Sequence, residues 1–406
     1  MILEGKFIVL GITGSIAAYR AMDIARKLTQ AGASVYVVMT KSAMEFITPL
    51  TFRSITQRPV IIDMFDPESE FAVQHVALAE RAEIVVIAPA TANIIAKLAN
   101  GIADDMLSCT VLATQAPVLI APAMNVHMYE NRITQQNISK LKERGLHFVG
   151  PSVGPLATGI IGAGRLSDVD DIVGTIRQVL GRNGDLAGEH IVVSAGSTQE
   201  PFDPVRYISN RSSGKMGYAI AEAARDRGAK VTLVSGPTAL AQPVGMNVVQ
   251  VRSAQEMLDA IKAAVIDASA LIMAAAVVDF RPVAMSQQKI KKASSAVVVE
   301  LIQTPDILNE VRGDFIRVGF AAESQDLLEN ARQKLENKNL DLIAANDITA
   351  TDSGFAVDTN KVILIHRSGE ITKLPLMLKS EVADKILDEV AKLLAQKGNP
   401  PGGSVS

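Results

Sequence analysis

Short apolar runs alternate with amphipathic segments along the first half of the chain. The runs are rich in Val and Ile and carry no charged residue, which is typical of strands buried on both faces of a sheet. They are Phe7–Leu10, Val35–Met39, Ile84–Ala88 and Val118–Ala121. Between them, segments such as Ile16–Gln30 and Asn93–Ala99 have the apolar spacing of helices. This alternation predicts a parallel sheet with helices on both sides.

The alternation stops at Gly181–Glu189, a stretch rich in Gly, Asn and Asp that has the composition of a linker. A second series of strands is predicted after it, at Ile191–Ser194, Val231–Ser235, Val248–Val251, Ala270–Ala275 and Leu342–Ala345. The sequence thus predicts an α/β protein with two doubly wound, Rossmann-like parallel-sheet domains, residues 1–185 and 186–397. The second domain ends in a predicted helix, Lys379–Lys397, and residues 398–406 form a predicted flexible tail with nothing to bury.

Composition and charge exclude several classes of function. Aromatic residues make up 4% of the chain, Trp is absent and the formal net charge is −3, so no nucleic-acid partner is expected. The single cysteine, Cys109, cannot form an intramolecular disulfide or a cysteine-based metal site, and the five His show no ligand spacing. The apolar runs are far shorter than the roughly 18 residues of a membrane span, and the N-terminus lacks the pattern of a secretory signal. We therefore expect a cytoplasmic protein without a membrane partner.

The first predicted strand leads into a turn of small residues that favours an anion. Gly11–Ile16 opens a helix, where glycines let the backbone approach a phosphate and exposed N–H groups attract it. The segment is not the Gly-x-Gly-x-x-Gly dinucleotide motif, and no acidic residue is well placed on the following strand for a ribose. On these residues alone, a phosphate site and a tight turn without a ligand are about equally good interpretations.

Other small polar segments lie at the ends of later strands, at Thr40–Ala43, Ala88–Asn93 and Ala121–Asn125, and Gly101–Ser108 forms a further predicted loop. Open α/β sheets bind ligands at such carboxyl ends. On these motifs the first half resembles the homo-oligomeric flavin-containing cysteine decarboxylases. The resemblance implies FMN, with its phosphate at the first turn and the Pro-Ala-Thr-Ala-Asn and Pro-Ala-Met-Asn loops around the flavin and substrate. The residues it implies for the cofactor are Gly14, Ser15, Thr40, Ser42, Pro89, Ala90, Thr91 and Asn93.

The same resemblance gives two side chains chemical roles. His75 corresponds to the family's catalytic base, and the ordinary pKa of an imidazole suits proton transfer near neutrality. Asn125 corresponds to the residue that holds the substrate carboxylate. Without the resemblance, His75 is better interpreted as a structural or surface residue, and Asn125 as a cap or turn after proline.

The segment that corresponds to the family's substrate-covering flap departs from the usual pattern. Gly154–Arg165 keeps the Gly-x-Gly-Arg ending, but Thr158 stands where the family has a proton-donating cysteine. A threonine hydroxyl is a far weaker acid than a thiol, whose reference pKa is about 8.5. Two hypotheses stay open: another donor or water completes the reaction, or the domain stalls at an enethiol intermediate or serves a regulatory or binding role. Cys109 lies in an apolar segment and is interpreted as a space-filling residue.

The second half carries a denser set of polar motifs. Ile208–Gly217 reads Ile-Ser-Asn-Arg-Ser-Ser-Gly-Lys-Met-Gly, and Lys289–Lys292 reads Lys-Ile-Lys-Lys. Asp279 follows a buried strand, and Thr304–Leu308 can begin a helix whose N–H groups face a triphosphate. Basic side chains near a helix start and an Asp suit a nucleoside triphosphate with Mg2+. On these motifs the second half resembles phosphopantothenoylcysteine synthetase, and the order of the two halves resembles the bacterial bifunctional decarboxylase/synthetase family.

This resemblance implies a ligase of coenzyme A synthesis. CTP would activate the carboxylate of 4′-phosphopantothenate as an acyl-cytidylate, cysteine would displace CMP, and the flavin domain would convert the product to 4′-phosphopantetheine. Asn210 would orient the acyl intermediate, Lys289 would neutralise phosphate charge, and Asp279 would contact the metal. The nucleotide site is implied at Met273, Ala274, Ala275, Asp279, Pro305, Asp306, Ile307, Leu308, Phe320, Lys334 and Lys338.

Self-association is implied as well, with trimeric flavin domains and dimeric ligase domains in an assembly of up to a dodecamer. Two competing hypotheses belong to other classes. A regulatory relative of the flavin domain would bind partner proteins and form no phosphopantetheine. A nicotinamide dehydrogenase would bind NAD and lack the yellow colour of flavin.

Overall fold

The computed structural model describes residues 2–64, 74–155, 159, 161–291, 298–323, 326–347 and 357–398. They form two compact units, divided between Leu180 and Gly181. Thr158, Lys292 and all of the predicted tail except Gly398 lie outside the described residues. No helix in the described ranges is long and apolar enough to cross a membrane.

The first unit is built on a parallel sheet with the strand order β2-β1-β3-β4-β5. The order reverses between β1 and β3, which is the point where open α/β sheets bind ligands. A separate antiparallel hairpin, β6–β7, follows the sheet. The strands are β1 (Phe7–Ile12), β2 (Ser34–Met39), β3 (Ile84–Ala90), β4 (Val118–Pro122), β5 (His147–Phe148), β6 (Ser152–Pro155) and β7 (Ile161–Arg165).

Helices cover both faces of this sheet. Ile8 and Leu10 of β1 pack on one face with α1 and α9, and Val9 packs on the other with α5, α6 and α8. The helices are α1 (Ala21–Gln30), α2 (Lys41–Met44), α3 (Pro49–Thr56), α4 (Gln74–Arg81), α5 (Ala92–Asn100), α6 (Met106–Ala113), α7 (Val126–Glu130), α8 (Arg132–Glu143) and α9 (Val169–Gly181). The predicted helix Ile16–Gln30 is a 3-10 helix, Ile16–Arg20, followed by α1.

The second unit is built on an eight-stranded sheet with the order β12-β11-β8-β13-β16-β17-β19-β20. Six strands are parallel, and β19 and β20 add an antiparallel edge. The strands of this unit are β8 (His190–Ala195), β9 (Gln199–Pro201), β10 (Tyr207–Ser209), β11 (Lys230–Ser235), β12 (Asn247–Gln250), β13 (Ala270–Met273), β14 (Phe280–Pro282), β15 (Leu301–Gln303), β16 (Ile316–Glu323), β17 (Leu342–Asp347), β18 (Thr359–Asn360), β19 (Val362–His366), β20 (Ile371–Lys373) and β21 (Met377–Leu378).

Two buried clusters again lie on opposite faces of the sheet. Ile191 and Val193 of β8 pack with α10 and α14, whereas Val192 packs with α11, α12 and α13. The helices are α10 (Lys215–Asp226), α11 (Ala254–Ala264), α12 (Ile307–Glu310), α13 (Leu327–Asn337) and α14 (Lys379–Gly398), with a 3-10 helix at Val265–Asp267.

The prediction of two α/β units with parallel sheets is confirmed, and the structure adds what the pattern did not predict. Strand β16 lies inside the parallel sheet, although Arg317 and Gly319 interrupt its apolar run. The antiparallel strands β19 and β20 were not predicted either. Strand β13 ends at Met273, two residues before the predicted end, because Ala274 and Ala275 belong to the loop that lines the cavity described below.

Candidate active sites

A buried threonine connects two of the predicted flavin loops at the switch point of the first sheet. Thr13 follows β1 and is 2% exposed. Its hydroxyl donates to the carbonyl oxygen of Pro89 at 2.7 Å and accepts from the N–H of Thr91 at 3.0 Å. Thr91 in turn caps the N-terminus of α5. The turn after β1 and the loop after β3 are therefore held together by a side chain that was not among the predicted site residues.

The other predicted cofactor residues surround these two loops. A Cβ on Gly14 would lie 2.5 Å from the Cβ of Ser42, so this turn packs against the loop after β2 only because it has no side chain. Ser15 caps the following 3-10 helix, and Thr40 donates its N–H to the Ile12 carbonyl. Pro89 and Ala90 are buried, whereas Ser42 and Asn93 are exposed. The structure thus brings the loops after β1, β2 and β3 to one edge of the sheet.

Asn125 lies on a third loop, between β4 and α7. Its side-chain oxygen accepts from the His127 N–H at 2.9 Å, so Asn125 is the cap of α7. The N–H of Met124 donates to the Gly164 carbonyl, and a Cβ on Gly162 would clash with Val126. The β6–β7 hairpin, which carries the ends of the predicted flap, is thereby attached to the Asn125 loop.

His75 lies in the first turn of α4 and is half-buried. Helix α4 packs on the sheet through Leu78 and leads directly into β3. The chain reverses between them, so the beginning of α4 lies towards the carboxyl edge of the sheet. Thr158, the departure from the flap pattern, falls outside the described residues.

Cys109 lies on α6. Its thiol donates to the Ala103 carbonyl at 3.3 Å, and burial together with the carboxylates of Asp105 and Asp104 raises its pKa. A raised pKa keeps the sulfur as a thiol, which suits a structural residue better than a nucleophile.

The second unit contains a cavity of about 780 Å3 at the carboxyl ends of β13, β16 and β17. Its walls come from separate stretches of sequence between Asn210 and Lys379. All of the predicted nucleotide-site residues and Asn210 line it, namely Asn210, Met273, Ala274, Ala275, Asp279, Pro305, Asp306, Ile307, Leu308, Phe320, Lys334 and Lys338.

Several polar residues of the cavity were not among the predicted site residues. Among them are Ser212, Ser213, Lys215, Thr304, Asn346, Asn360 and Lys379. The side-chain oxygen of Asn346 is buried and has no hydrogen-bond partner among the described residues. Lys379 is 6% exposed, and burial and the nearby Lys215 lower its pKa. The signal for Ser212–Lys215 was present in the Ile208–Gly217 motif, whereas Asn346 and Lys379 had no recognisable motif.

The loops around the cavity are held by direct contacts. The amide of Asn210 donates to the Val277 carbonyl at 2.9 Å, which joins the loop after β10 to the loop after β13. A Cβ on Gly217 would lie 2.6 Å from the Cβ of Ala195, so α10 packs directly on β8. The ammonium of Lys334 donates to the Phe320 carbonyl at 2.8 Å. Lys338 forms an ion pair with Asp306.

Lys289 is exposed and does not line the cavity. The neighbouring N–H of Ile290 donates to the carboxylate of Asp203, which is 1% exposed. Burial alone would raise the Asp203 pKa, but the N–H groups of Val205, Arg206 and Ile290 and the Arg206 guanidinium hold it well below its usual value. The Arg206 guanidinium also donates to the Ile290 carbonyl at 2.7 Å. Asp203 and Arg206 therefore anchor the loop that carries Lys289.

The described residues contain no group of three His, Cys, Asp or Glu side chains that could hold a metal ion. Asp279 and Asp306 are the carboxylates that line the cavity within those residues. Mg2+ commonly takes one or two protein carboxylates and completes its shell with substrate phosphates and water. This donor set therefore suits a magnesium ion that arrives with a nucleotide.

Comparisons with known proteins agree along nearly the whole chain. The family described as "Flavoprotein" matches residues 2–181, and the family described as "DNA/pantothenate metabolism flavoprotein C-terminal domain" matches residues 186–394. The coenzyme A biosynthesis bifunctional protein CoaBC of Bacillus subtilis (strain 168) is 46% identical over 403 residues, 98% of this chain and 99% of that protein. The protein of the same name from Escherichia coli (strain K12) is 43% identical over 405 residues, 98% of this chain and 99% of that protein.

A solved structure of the C-terminal domain of a coenzyme A biosynthesis bifunctional protein CoaBC is 41% identical. It covers 52% of this chain and 99% of that chain, with a TM-score of 0.46. The full-length identities to the Bacillus and Escherichia proteins carry the assignment. This chain belongs to the family of coenzyme A biosynthesis bifunctional proteins, which are enzymes with a flavoprotein domain followed by a pantothenate-metabolism domain.

Proposed function

We propose that this chain joins cysteine to 4′-phosphopantothenate at the expense of CTP and then decarboxylates the product to 4′-phosphopantetheine. Residues 186–397 would carry the ligase and residues 1–185 the decarboxylase. The observation that carries the proposal is the 780 Å3 cavity, which is lined by Asn210, Asp279, Lys334 and Lys338 from separate parts of the sequence.

The ligase reaction begins when a carboxylate oxygen of phosphopantothenate attacks the α-phosphorus of CTP and pyrophosphate leaves. The amine of cysteine then attacks the acyl carbon, and CMP leaves with the bonding electrons. Lys334 and Lys338 would stabilise negative charge in the cavity. Asp279 would share Mg2+ with the phosphates, and Asn210 would orient the acyl group for attack.

The role proposed for Lys289 requires a further assumption, because this residue lies outside the cavity wall. Its loop is attached through Ile290 to Asp203, which follows β9 in the same unit as the cavity. This role requires the long, flexible ammonium side chain to reach phosphates that have entered the cavity. We therefore keep Lys289 as the residue that neutralises phosphate charge once the nucleotide is bound.

The edge of the first sheet suits a flavin mononucleotide. The turn at Gly14 lies too close to Ser42 to admit a Cβ. Ser15 caps the 3-10 helix that follows, and the N–H groups at the start of a helix favour a phosphate. FMN, when bound, would take two electrons from the carbon that carries the thiol and return them later. His75 would remove a proton, and Asn125 would bind the substrate carboxylate through its amide NH2, since its oxygen caps α7.

The proposal is tested by incubating purified protein with CTP, Mg2+, phosphopantothenate and cysteine. We expect pyrophosphate release that depends on both organic substrates, a lower rate with ATP, and a yellow protein whose final product is phosphopantetheine. The Asn210→Ala variant should slow formation of the cysteine adduct more than release of pyrophosphate. A colourless protein that releases no pyrophosphate would refute the proposal.

The residue at position 158 decides how the second reaction ends. If Thr158 cannot donate the last proton, the enethiol precursor will accumulate, and the Thr158→Cys variant will convert it to phosphopantetheine. If water or another group donates, wild type and Thr158→Cys will form phosphopantetheine at similar rates. Mass spectrometry of the thiol products distinguishes the two results.

We also propose that the chain self-associates through both domains, as trimers and dimers. Exposed apolar side chains on β14 and β15, among them Phe280, Leu301 and Ile302, give the second unit an apolar surface suited to a second copy. Light scattering across a dilution series tests this. A monomer that retains bound flavin and both activities would contradict it.

A further inference from the structure

The second unit contains a buried arginine that none of the proposed chemistry uses. Arg317 lies near the beginning of β16 and is 6% exposed. A buried guanidinium is costly unless its N–H groups are satisfied. Two of its nitrogens donate to backbone carbonyls rather than to a carboxylate side chain: Nη1 donates to Val311 at 2.6 Å, and Nη2 donates to Leu308 and Lys338. The buried Nε has no hydrogen-bond partner among the described residues.

These carbonyls belong to two segments that line the nucleotide cavity. Leu308 ends the Pro305–Leu308 stretch, and Val311 caps the C-terminus of α12. Lys338 caps the C-terminus of α13, and its carbonyl lies 3.1 Å from Nη2. Carbonyls at the end of a helix have no partner within the helix and carry partial negative charge. A guanidinium supplies both a hydrogen-bond donor and a positive charge to such carbonyls.

The backbone of Arg317 is itself fixed. Its N–H donates to the carboxylate of Asp341 at 2.8 Å, and its carbonyl accepts from the Asp341 N–H at 2.9 Å. Strand β16 pairs with β13 and β17 on its two sides. The guanidinium therefore extends from a rigid strand to two loop segments, each of which carries residues of the cavity.

We propose that Arg317 is a positioning residue of the ligase, which holds the Pro305–Leu308 stretch and Lys338 at the separation that CTP requires. The inference rests on the proposed nucleotide site. Arg317 touches neither nucleotide nor substrate and acts by keeping these two segments in one arrangement. Without Arg317, the two segments adopt several arrangements, of which one binds CTP. The apparent affinity for CTP then falls in proportion to the population of that arrangement.

This role predicts a specific kinetic pattern. In Arg317→Ala we expect the KM for CTP to rise about tenfold or more, because the variant loses three hydrogen bonds from a charged donor, which are stronger than those from a neutral donor. The kcat at saturating CTP and the KM for phosphopantothenate should stay within about twofold of wild type, since the nucleotide itself reorders the two segments. The matched control is Arg312→Ala, which removes a neighbouring arginine whose Nε donates to Asn309, and its KM for CTP should be unchanged.

Chemical rescue separates positioning from general stability. Arg317 borders a small cavity of about 240 Å3 that it shares with Arg312 and Lys338, so free guanidinium can enter the space that Arg317→Ala leaves. Millimolar guanidinium should lower the KM of the variant towards wild type, whereas the same concentration of sodium or ammonium chloride should not. Arg317→Lys, which supplies one flexible ammonium in place of a planar fork, should give an intermediate KM.

The outcomes are distinct. A KM for CTP that stays at the wild-type value in folded Arg317→Ala refutes the inference, as does a loss of kcat with KM unchanged. If Arg317→Ala does not fold, Arg317→Lys with a normal KM refutes it too. If wild type releases no CTP-dependent pyrophosphate, the proposed function fails instead, before any variant is compared.

Discussion

Removal of the Thr13 hydroxyl is the sharpest test of how the flavin site is built. Thr13→Val keeps the shape of the side chain and deletes both hydrogen bonds, to the Pro89 carbonyl and from the Thr91 N–H. Thr13 is 2% exposed, so water cannot take the place of the hydroxyl without a rearrangement. Leaving a buried polar group unpaired costs about 1–3 kcal/mol.

We therefore expect Thr13→Val to destabilise the first unit by about 2 kcal/mol. For a domain of this size that corresponds to a fall of roughly 4–8 °C in Tm. The flavin should also bind more weakly, because the turn after β1 and the loop after β3 no longer share a fixed separation. Heating with detection of released flavin fluorescence reports on this unit alone, and dilution of the bound flavin gives its Kd.

Thr13→Ser is the matched control, since it keeps the hydroxyl and loses one buried methyl group, worth about 0.8 kcal/mol. Its flavin Kd should equal that of wild type. The reasoning is refuted if Thr13→Val binds flavin normally, or if Thr13→Ser weakens binding as much as Thr13→Val.

Three more predictions concern the second unit. Lys289→Ala should slow pyrophosphate release at least tenfold. The Tm should not change, because Lys289 is exposed. Lys291→Ala on the same loop should slow the release much less, and equal effects of the two substitutions would argue against a role for Lys289. Asp203→Asn should lower the urea midpoint at pH 7. Because the folded Asp203 pKa is depressed, the stabilisation is present above its unfolded pKa near 3.9 and is lost as the pH falls further, so the wild-type and variant curves should converge below pH 4; curves that stay parallel would contradict this. Gly217→Ala places a Cβ 2.6 Å from the Cβ of Ala195 and should lower the free energy of unfolding by about 1–3 kcal/mol, measured by calorimetry. Ala219→Gly on the same helix is the control and should lower it by only about 1 kcal/mol. If Gly217→Ala is as stable as wild type, α10 can move away from β8.

The apolar pattern was sufficient to predict the sheets because their central strands are buried on both faces. Residues Ile8 to Leu10 and Ile191 to Val193 are all fully buried, so their burial is visible as an unbroken apolar run. Strand β16 escaped prediction because Arg317 interrupts its run, and the Nη1 and Nη2 donors of this buried residue are satisfied by carbonyls at the ends of α12 and α13. A pattern along the chain does not record such distant partners.

The candidate site also contains residues that the sequence predicted and residues that it did not. Motifs predicted the loops that line the cavity, since Asn210, Asp279 and Pro305–Leu308 lie at or near the carboxyl ends of strands and motifs can be recognised locally. The motif that contains Lys289 did not predict that this residue lies outside the cavity wall, because a motif indicates a residue's chemistry but not the position of its loop. The roles of His75 and Asn125 stay predictions.

The residues that support these loops are the least predictable from sequence, and they fix the geometry on which ligand binding depends. Thr13, Asp203 and Arg317 are each nearly fully buried, and the side chain of each binds a distant backbone group, 76, 87 and 21 positions away, respectively. A buried hydroxyl, carboxylate or guanidinium is stable only where all of those partners converge, so each of these residues is compatible with one arrangement of its loops. Loops carry the binding groups of both units, and a site whose loops can shift loses affinity before it loses chemistry. Substitution of these three residues should therefore change the concentrations of FMN and CTP that the enzyme requires more than its rates at saturation.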